Sequence, residues 1–439
     1  MAVQGPRILD RSREDAREGN LRRHLHRRRD RLLRRLSRQQ PPCPASGRAD
    51  SRQRSAAARR ADRARHRAPR HRHHRLHLLR ASVHVRAPAF HRRSPHEGRV
   101  GWNIVTSYLE SGARNVGQAG LADHTNRYEI AAEYLEVLYK LFEGSWEDGA
   151  VLRDRERRIF ADPAKIHEIR HHGRHFEVPG YHLCEPSPQR TPVLYQAGAS
   201  GAGKAFAAQH AECVFVAAPT RATLRDYVAD IRRRAAEAGR DAHKLLIYTL
   251  VTIVVDETDQ KAQAKFDDYL RHVSYDGSLV LMSGWTGIDF GQYAPTDLVR
   301  HVETNAIVSA VEHLAGGDRR WTIDELARFG GVGGLGPVFV GSPATVADIL
   351  QEWREHTGVD GFNLAYALAH ETFEDVVEYL VPELQRRGAY PTAYRPGTLR
   401  EKLFGEGPRL GGTHPGAAYR DLSRFTRGAP APAAEATPA

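Results

Sequence analysis

PVLYQAGASGAGKAFAA, residues 192–208, runs a short apolar stretch into a glycine-rich turn and then into small, helix-forming residues. A strand that feeds such a turn into a helix aims backbone N–H groups and the positive end of the helix dipole at one point, which suits a phosphate. Two readings share these letters. Gly198, Gly203 and Lys204 keep the GxxxxGK spacing of a P-loop, but Ala205 stands where that motif supplies a Ser or Thr hydroxyl to Mg²⁺. In the other reading, Ser200 and the backbone after it hold the phosphate of a cofactor.

Outward from this stretch the chain alternates strand and helix. CVFVAA (213–218) follows, then a helix that Thr220 caps and Gly239 ends, then KLLIYTLVTIVVDE (244–257) and another helix. After a less regular stretch from Tyr275 to Gly336 come PVFVG (337–341), a helix capped at Ser342 and running through Trp353, GFNLAYA (361–367), and a last helix from Glu371 to Arg387. This order predicts a parallel sheet covered by helices. Upstream, VGWNIVTS (100–107) reads as a strand ending in small polar residues. DHTNRYEIAAEYLEVLYKLF (123–142) reads as a helix capped by Asp123, with His124 and Tyr128 four residues apart on one face. TIVVDE (252–257) resembles a Walker B strand, yet its letters also describe any buried strand that runs into a charged helix start.

Composition separates the chain into unlike pieces. Residues 1–98 hold 28 Arg, no Lys and 8 acidic residues, a net charge of +20, while the remainder carries −8. The basic character of the protein therefore belongs to the first segment, and the part that reads as globular is acidic, which argues against nucleic acid as its partner. The first segment has too few apolar residues to build a core and reads as disordered; an arm binding nucleic acid through arginine is the alternative function it offers. Abundant Arg, Ala, Pro and His with no Lys is also what out-of-frame translation of a GC-rich gene produces. Cys43, Cys184 and Cys213 have no metal-ligand spacing, so no metal is expected, and three thiols favour a reducing compartment. With no run of about 18 apolar residues, no membrane span is expected, and the reading is cytoplasmic.

Several stretches together resemble a known family. GRVGWNIVTSYLESGARN, HTNRYEIAAEYLEVLYKLFEGSWEDGAV, the His167–Gly180 stretch, EPSPQRTPVLYQAGASGAGKAFAA, GPVFVGSPATVADIL and VPELQRRGAY followed by TLREKLFG are similar to flavin-dependent monooxygenases of the nitrilotriacetate and dibenzothiophene-sulfone type, in the bacterial-luciferase-like superfamily. The resemblance spans residues 98–405. It implies a luciferase-like (β/α)8 TIM barrel with its site at the C-terminal ends of the strands. It also implies a two-component system in which a separate flavin reductase supplies reduced FMN, and a small organic substrate is oxygenated through a C4a-(hydro)peroxyflavin. Residue by residue, it implies that His124 and Tyr128 contact the flavin, that Ser200 holds its phosphate, and that Asn103 and Thr106 line the ring pocket. His124 would also serve as a hydrogen-bond donor or proton shuttle. A homodimer or homotetramer is expected.

The chain departs from the family at its start. The first three strands of the barrel would fall where the Arg-rich segment stands, and a barrel without them keeps open edges, so poor folding and little activity are expected unless another chain fills the gap. The sequence thus predicts three segments: an Arg- and His-rich segment over 1–97, a monooxygenase domain over 98–405 and a disordered tail over 406–439. Tyr275 to Gly336 is a candidate lid.

Overall fold

A computed structural model of the chain describes residues 97–423, apart from 108–109, 116, 118, 121–122, 199 and 300–320. The Arg-rich segment, and the nucleic-acid reading built on it, lie outside the described residues. So do the last residues of the predicted tail.

Six strands form one sheet: β1 (Gly101–Ile104), β2 (Val193–Ala197), β3 (Cys213–Val216), β4 (Leu246–Val255), β5 (Val338–Gly341) and β6 (Gly361–Ala365). Every pairing is parallel. The order is β1-β2-β3-β4-β6, with β5 also on β4. The ten residues of β4 serve three neighbours: Leu246 to Thr249 pair with β3, Tyr248 to Thr252 with β6, and Thr252 to Val255 with β5. Among the described residues β1 pairs only with β2, and β5 and β6 each only with β4, so the sheet keeps open edges.

The main helices are α1 (His124–Tyr139), α2 (Gly201–His210), α3 (Arg221–Glu237), α4 (Asp259–Arg271), α5 (Tyr275–Thr286), α6 (Ile323–Gly333) and α7 (Pro343–Thr357). Parallel strands need crossover connections, and these helices supply them on one face of the sheet. Thr220, Thr258 and Ser342 each cap a helix by accepting from the backbone N–H three residues on. Asp123 precedes α1, but its side chain makes no capping bond, contrary to the sequence expectation. The expected last helix is broken into Glu371–Asp375, a wider π turn and Val381–Arg386.

Alternation along the strands sorts the two faces of the sheet. Val214, Val216, Ile247, Val251, Ile253 and Val255 pack into one core with Leu224, Ile231, Val346, Leu350 and Trp353 of the helices. Burying such side chains contributes roughly 1.5–3 kcal/mol each and holds the helices on this face. The opposite face carries Tyr195, Phe215 and Tyr248 in a row, with ring centroids 5.2 and 6.1 Å apart, all half-buried.

Residues 406–423 are not a tail. Leu410 is buried with Ile104, Leu135, Tyr139, Leu194 and Phe206, Tyr419 stacks on Tyr139 with centroids 6.0 Å apart, and Arg420 Nε donates to Glu143 at 2.8 Å. Composition missed this because the segment is rich in Gly, Pro and Arg; its few apolar residues are enough because they enter a core that other elements have formed. Just upstream, the buried Arg400 makes a two-pronged pair with Glu212 at 2.6 and 2.8 Å and donates to the carbonyls of Thr191 and Pro192. Glu212 in turn accepts from Leu194 N–H, so this pair ties the C-terminal part of the chain to the middle of the sheet.

The irregular stretch, Tyr275 to Gly336, follows α4 and ends just before β5. Asp256 N–H bonds to Gly341 O and Val255 pairs with Gly341, so β4 and β5 end side by side; the chain leaves β4 at that end and re-enters the sheet at Val338, beside Thr252. Within the irregular stretch α5 and α6 share a separate core of Leu279, Met282, Phe290, Ile323 and Leu326.

Candidate functional site

The C-terminal ends of parallel strands are where turns into helices gather N–H groups, and the turn after β2 shows how the quoted stretch folds. Ser200 is the N-cap of α2: its Oγ accepts from Gly203 N–H at 3.2 Å, and its side chain is buried. Against this turn lies the hydroxyl of Tyr128, from α1. Gln196 Nε2 donates to it at 3.4 Å, and Thr106 and Ser200 hydrogen-bond it as well. Burial pushes the Tyr128 phenol up, so it remains a protonated donor.

Two glycines make this packing work. A Cβ on Gly203 would stand 2.9 Å from Tyr128 Oη and 3.1 Å from Gly198 Cα; one on Gly198 would stand 2.8 Å from the same hydroxyl and collide with Gln196 Nε2. A larger residue at either place would push the phenol out of the turn. From the far side, Tyr227 of α3 donates its hydroxyl to Gly198 O at 3.3 Å.

The predicted residues therefore divide into three groups. Tyr128, Thr106 and Ser200 meet at one hydroxyl. Asn103 sits at the same strand ends but, paired in register with Tyr195, faces the aromatic side of the sheet, whereas Gln196 faces the helices. His124 is the first residue of α1, one turn before Tyr128; its side chain lies outside the described residues. Gln196, Tyr227 and the buried Arg127 were not singled out from sequence, and Gly198 was named there only for the P-loop spacing. A polar Gln inside the apolar run VLYQA was the signal available for the first.

Two acceptors at this rim, Asn103 Oδ1 and Gln196 Oε1, are buried with no hydrogen-bond partner. A buried carbonyl oxygen left so costs about 1–3 kcal/mol, and such atoms mark places built for a donor from elsewhere. The site thus offers an anion-binding turn on one side of the strand ends and an unsatisfied amide oxygen on the other. That is the donor and acceptor set an FMN would use, with a phosphate at one end and N–H groups on its ring.

The P-loop reading fails on geometry. Lys204 Nζ is spent on Asp230 at 2.9 Å and lies 5.2 Å over the Tyr227 ring, pointing away from the turn. Lys204 and two arginines hold the Asp230 carboxyl down at about 2. At the supposed Walker B position Asp256 pairs with Lys265 at 3.0 Å, and Lys265 also bonds Asp375. Both charged groups that an NTPase would direct at a nucleotide are neutralised within the fold. Among the described residues no group of three or more His, Cys, Asp or Glu could hold a metal, and no helix is long and apolar enough to cross a membrane.

The profile of the family described as luciferase-like monooxygenase matches residues 96–361. The chain belongs to this family. Over 328 residues it is 46% identical to the dimethyl-sulfide monooxygenase of Hyphomicrobium sulfonivorans, covering 74% of this chain and 68% of that one. Its identity to the long-chain alkane monooxygenase of Geobacillus thermodenitrificans is 44%, over 74% of this chain and 71% of the relative. The crystal structure of a riboflavin lyase with modified FMN and riboflavin superposes with a TM-score of 0.72 at 34% identity, covering 79% of this chain and 76% of that one. The sheet and its helices are thus an arc of the luciferase-like barrel expected from the sequence, with the candidate site at the strand ends such barrels use.

Proposed function

We propose that the chain is the oxygenase component of a two-component monooxygenase, taking reduced FMN from a separate flavin reductase and using O2 to oxygenate a small organic substrate. The observation that carries this reading is the meeting of Tyr128, Thr106, Gln196 and Ser200 at the start of α2, beside two buried acceptors without partners. When bound, reduced flavin supplies the electrons that activate O2. The chain's own work is to hold and screen it. Ser200 and the first turn of α2 bind the phosphate, Asn103 and Thr106 orient the ring, and Tyr128 fixes the turn between them. His124, one turn from Tyr128, is assigned as donor or proton shuttle, a task suited to a side chain whose unperturbed pKa is about 6.5.

The substrate side is read as apolar. The row Tyr195, Phe215 and Tyr248 offers a greasy, aromatic wall, and relatives named for a dialkyl sulfide and for alkanes support an uncharged molecule over a polyanion. The stretch from Tyr275 to Gly336, which carries α5 and α6, is assigned as the lid. A cytoplasmic homodimer or homotetramer completes the reading. Within the described residues the sheet is an open arc, and the remaining wall of the pocket is assigned to polypeptide outside them; a protein without that wall is expected to turn over slowly.

The test is anaerobic titration of the purified chain with FMNH2, followed by turnover of dimethyl sulfide and of an alkane with an added flavin reductase. Saturable FMNH2 binding that Ser200→Asp weakens about ten- to 100-fold supports the reading. Binding of Mg-ATP in place of flavin, or no flavin binding at all, overturns it.

A further inference from the structure

We infer that Tyr227 is a positioning residue for the phosphate end of the cofactor, acting through the carbonyl of Gly198. The inference rests on the flavin reading of this site and extends it to a third helix that touches neither ring nor phosphate. Gly198 has no Cβ, so its peptide plane turns at little cost, and the direction in which the chain enters α2 is set by whatever holds that plane. The holder is the Tyr227 hydroxyl, donating at 3.3 Å from a ring that is 3% exposed.

The ring itself is fixed. Tyr227 belongs to the helix-side core, and Lys204 lies 5.2 Å over it while its ammonium is pinned at 2.9 Å to Asp230, three residues further along the same helix. On the other side of the turn stands Tyr128, whose hydroxyl leaves no room for side chains at Gly198 or Gly203. The turn is therefore gripped between two phenols, one from α1 and one from α3. Burial pushes both phenols up, so each stays a neutral donor across any working pH. Every part of this grip comes from β2, α1, α2 and α3, none of which needs the sheet edge at β6.

The experiment measures the affinities of FMN and of riboflavin, which lacks the phosphate, for the full chain and for Tyr227→Phe by flavin fluorescence. Loss of one hydrogen bond predicts FMN binding about fivefold weaker with riboflavin unchanged. A merely structural loosening would weaken both ligands equally, and that result, or no change for either, overturns the inference. Amide hydrogen exchange without ligand gives a second readout. The variant should exchange faster at Gly201 to Lys204 and at no more distant segment; unchanged exchange there also overturns the inference. If the unmodified chain does not prefer FMN to riboflavin, it is the phosphate assignment of the site that fails, and the exchange measurement still decides whether Tyr227 holds the turn.

Discussion

Helix α2 is ten residues long, and its two ends are finished in opposite ways. At its C-terminal end the protein supplies partners from three other parts of the chain: His414 Nε2 donates to the carbonyl of His210 at 2.8 Å, Arg240 donates to that of Ala208 at 2.9 Å, and Tyr139 Oη lies 3.3 Å from His210 Nδ1. A cation and an imidazole thus meet the carbonyls at the negative end of the dipole, and a phenol holds the His210 ring. At its N-terminal end there is a capping hydroxyl, two obligatory glycines and a crowding phenol, while the nearest lysine is drawn off to Asp230. One end is sealed by the fold and the other is arranged around something the fold does not contain. The difference teaches where to look for a ligand: at the helix terminus whose obvious counter-charge has been taken away.

Four changes would break or sharpen that contrast. The largest effect is expected from Gly203→Val, whose side chain would be driven into Tyr128 Oη. FMN binding should fall by at least about 100-fold with about 1–3 kcal/mol of stability lost, and isothermal titration beside thermal melting would separate the two losses. Ser200→Asp should be more selective. Aspartate is as good a cap as serine, so the melting temperature should hold, while repulsion of the phosphate should cost about ten- to 100-fold in FMN affinity.

The sealed end should respond to acid. Burial and the nearby Arg240 cation hold His210 down to about 4 and His414 down to about 3, so both are neutral in the folded chain. A histidine with a lowered folded-state pKa stabilises the fold fully above its unfolded pKa of about 6.5, and that stability drains as pH falls below it. Melting temperature should therefore drop by a few degrees between pH 7 and pH 5, and His414→Gln should flatten that slope without altering FMN affinity at pH 7. The smallest effect belongs to Lys204→Met. Its partly exposed pair with Asp230 contributes up to about 1 kcal/mol, and Mg-ATP binding should be absent before and after; an ATP affinity that disappears with the lysine would restore the P-loop reading.

Much of the architecture was legible because its signals are local. Each strand run and each Thr or Ser cap is written within a few consecutive residues, and the structure repeats them with small shifts at the ends. The site was only half legible. Ser200, Tyr128 and Thr106 carried letters that match a family pattern, but Gln196 and Tyr227 act through partners 68 and 29 residues away; the polar Gln in an apolar run marks the first position without naming its partner, and nothing near Tyr227 marks the second. Asp123 looked like a cap and is not one. The segment after residue 405 looked like a solvated tail because Gly, Pro and Arg dominate it, whereas Leu410, His414 and Tyr419 need only a few contacts in a core made elsewhere.

The separate core of α5 and α6 bears on how such a protein can change. Because these helices bury their own apolar residues against each other, the stretch between α4 and β5 can grow or shrink without opening the core between the sheet and its helices. A satellite core of this kind separates inheritance of the oxygen-activating scaffold from inheritance of taste: selection can exchange whole inserts to reach new molecules while the strands and the turn before α2 stay as they are.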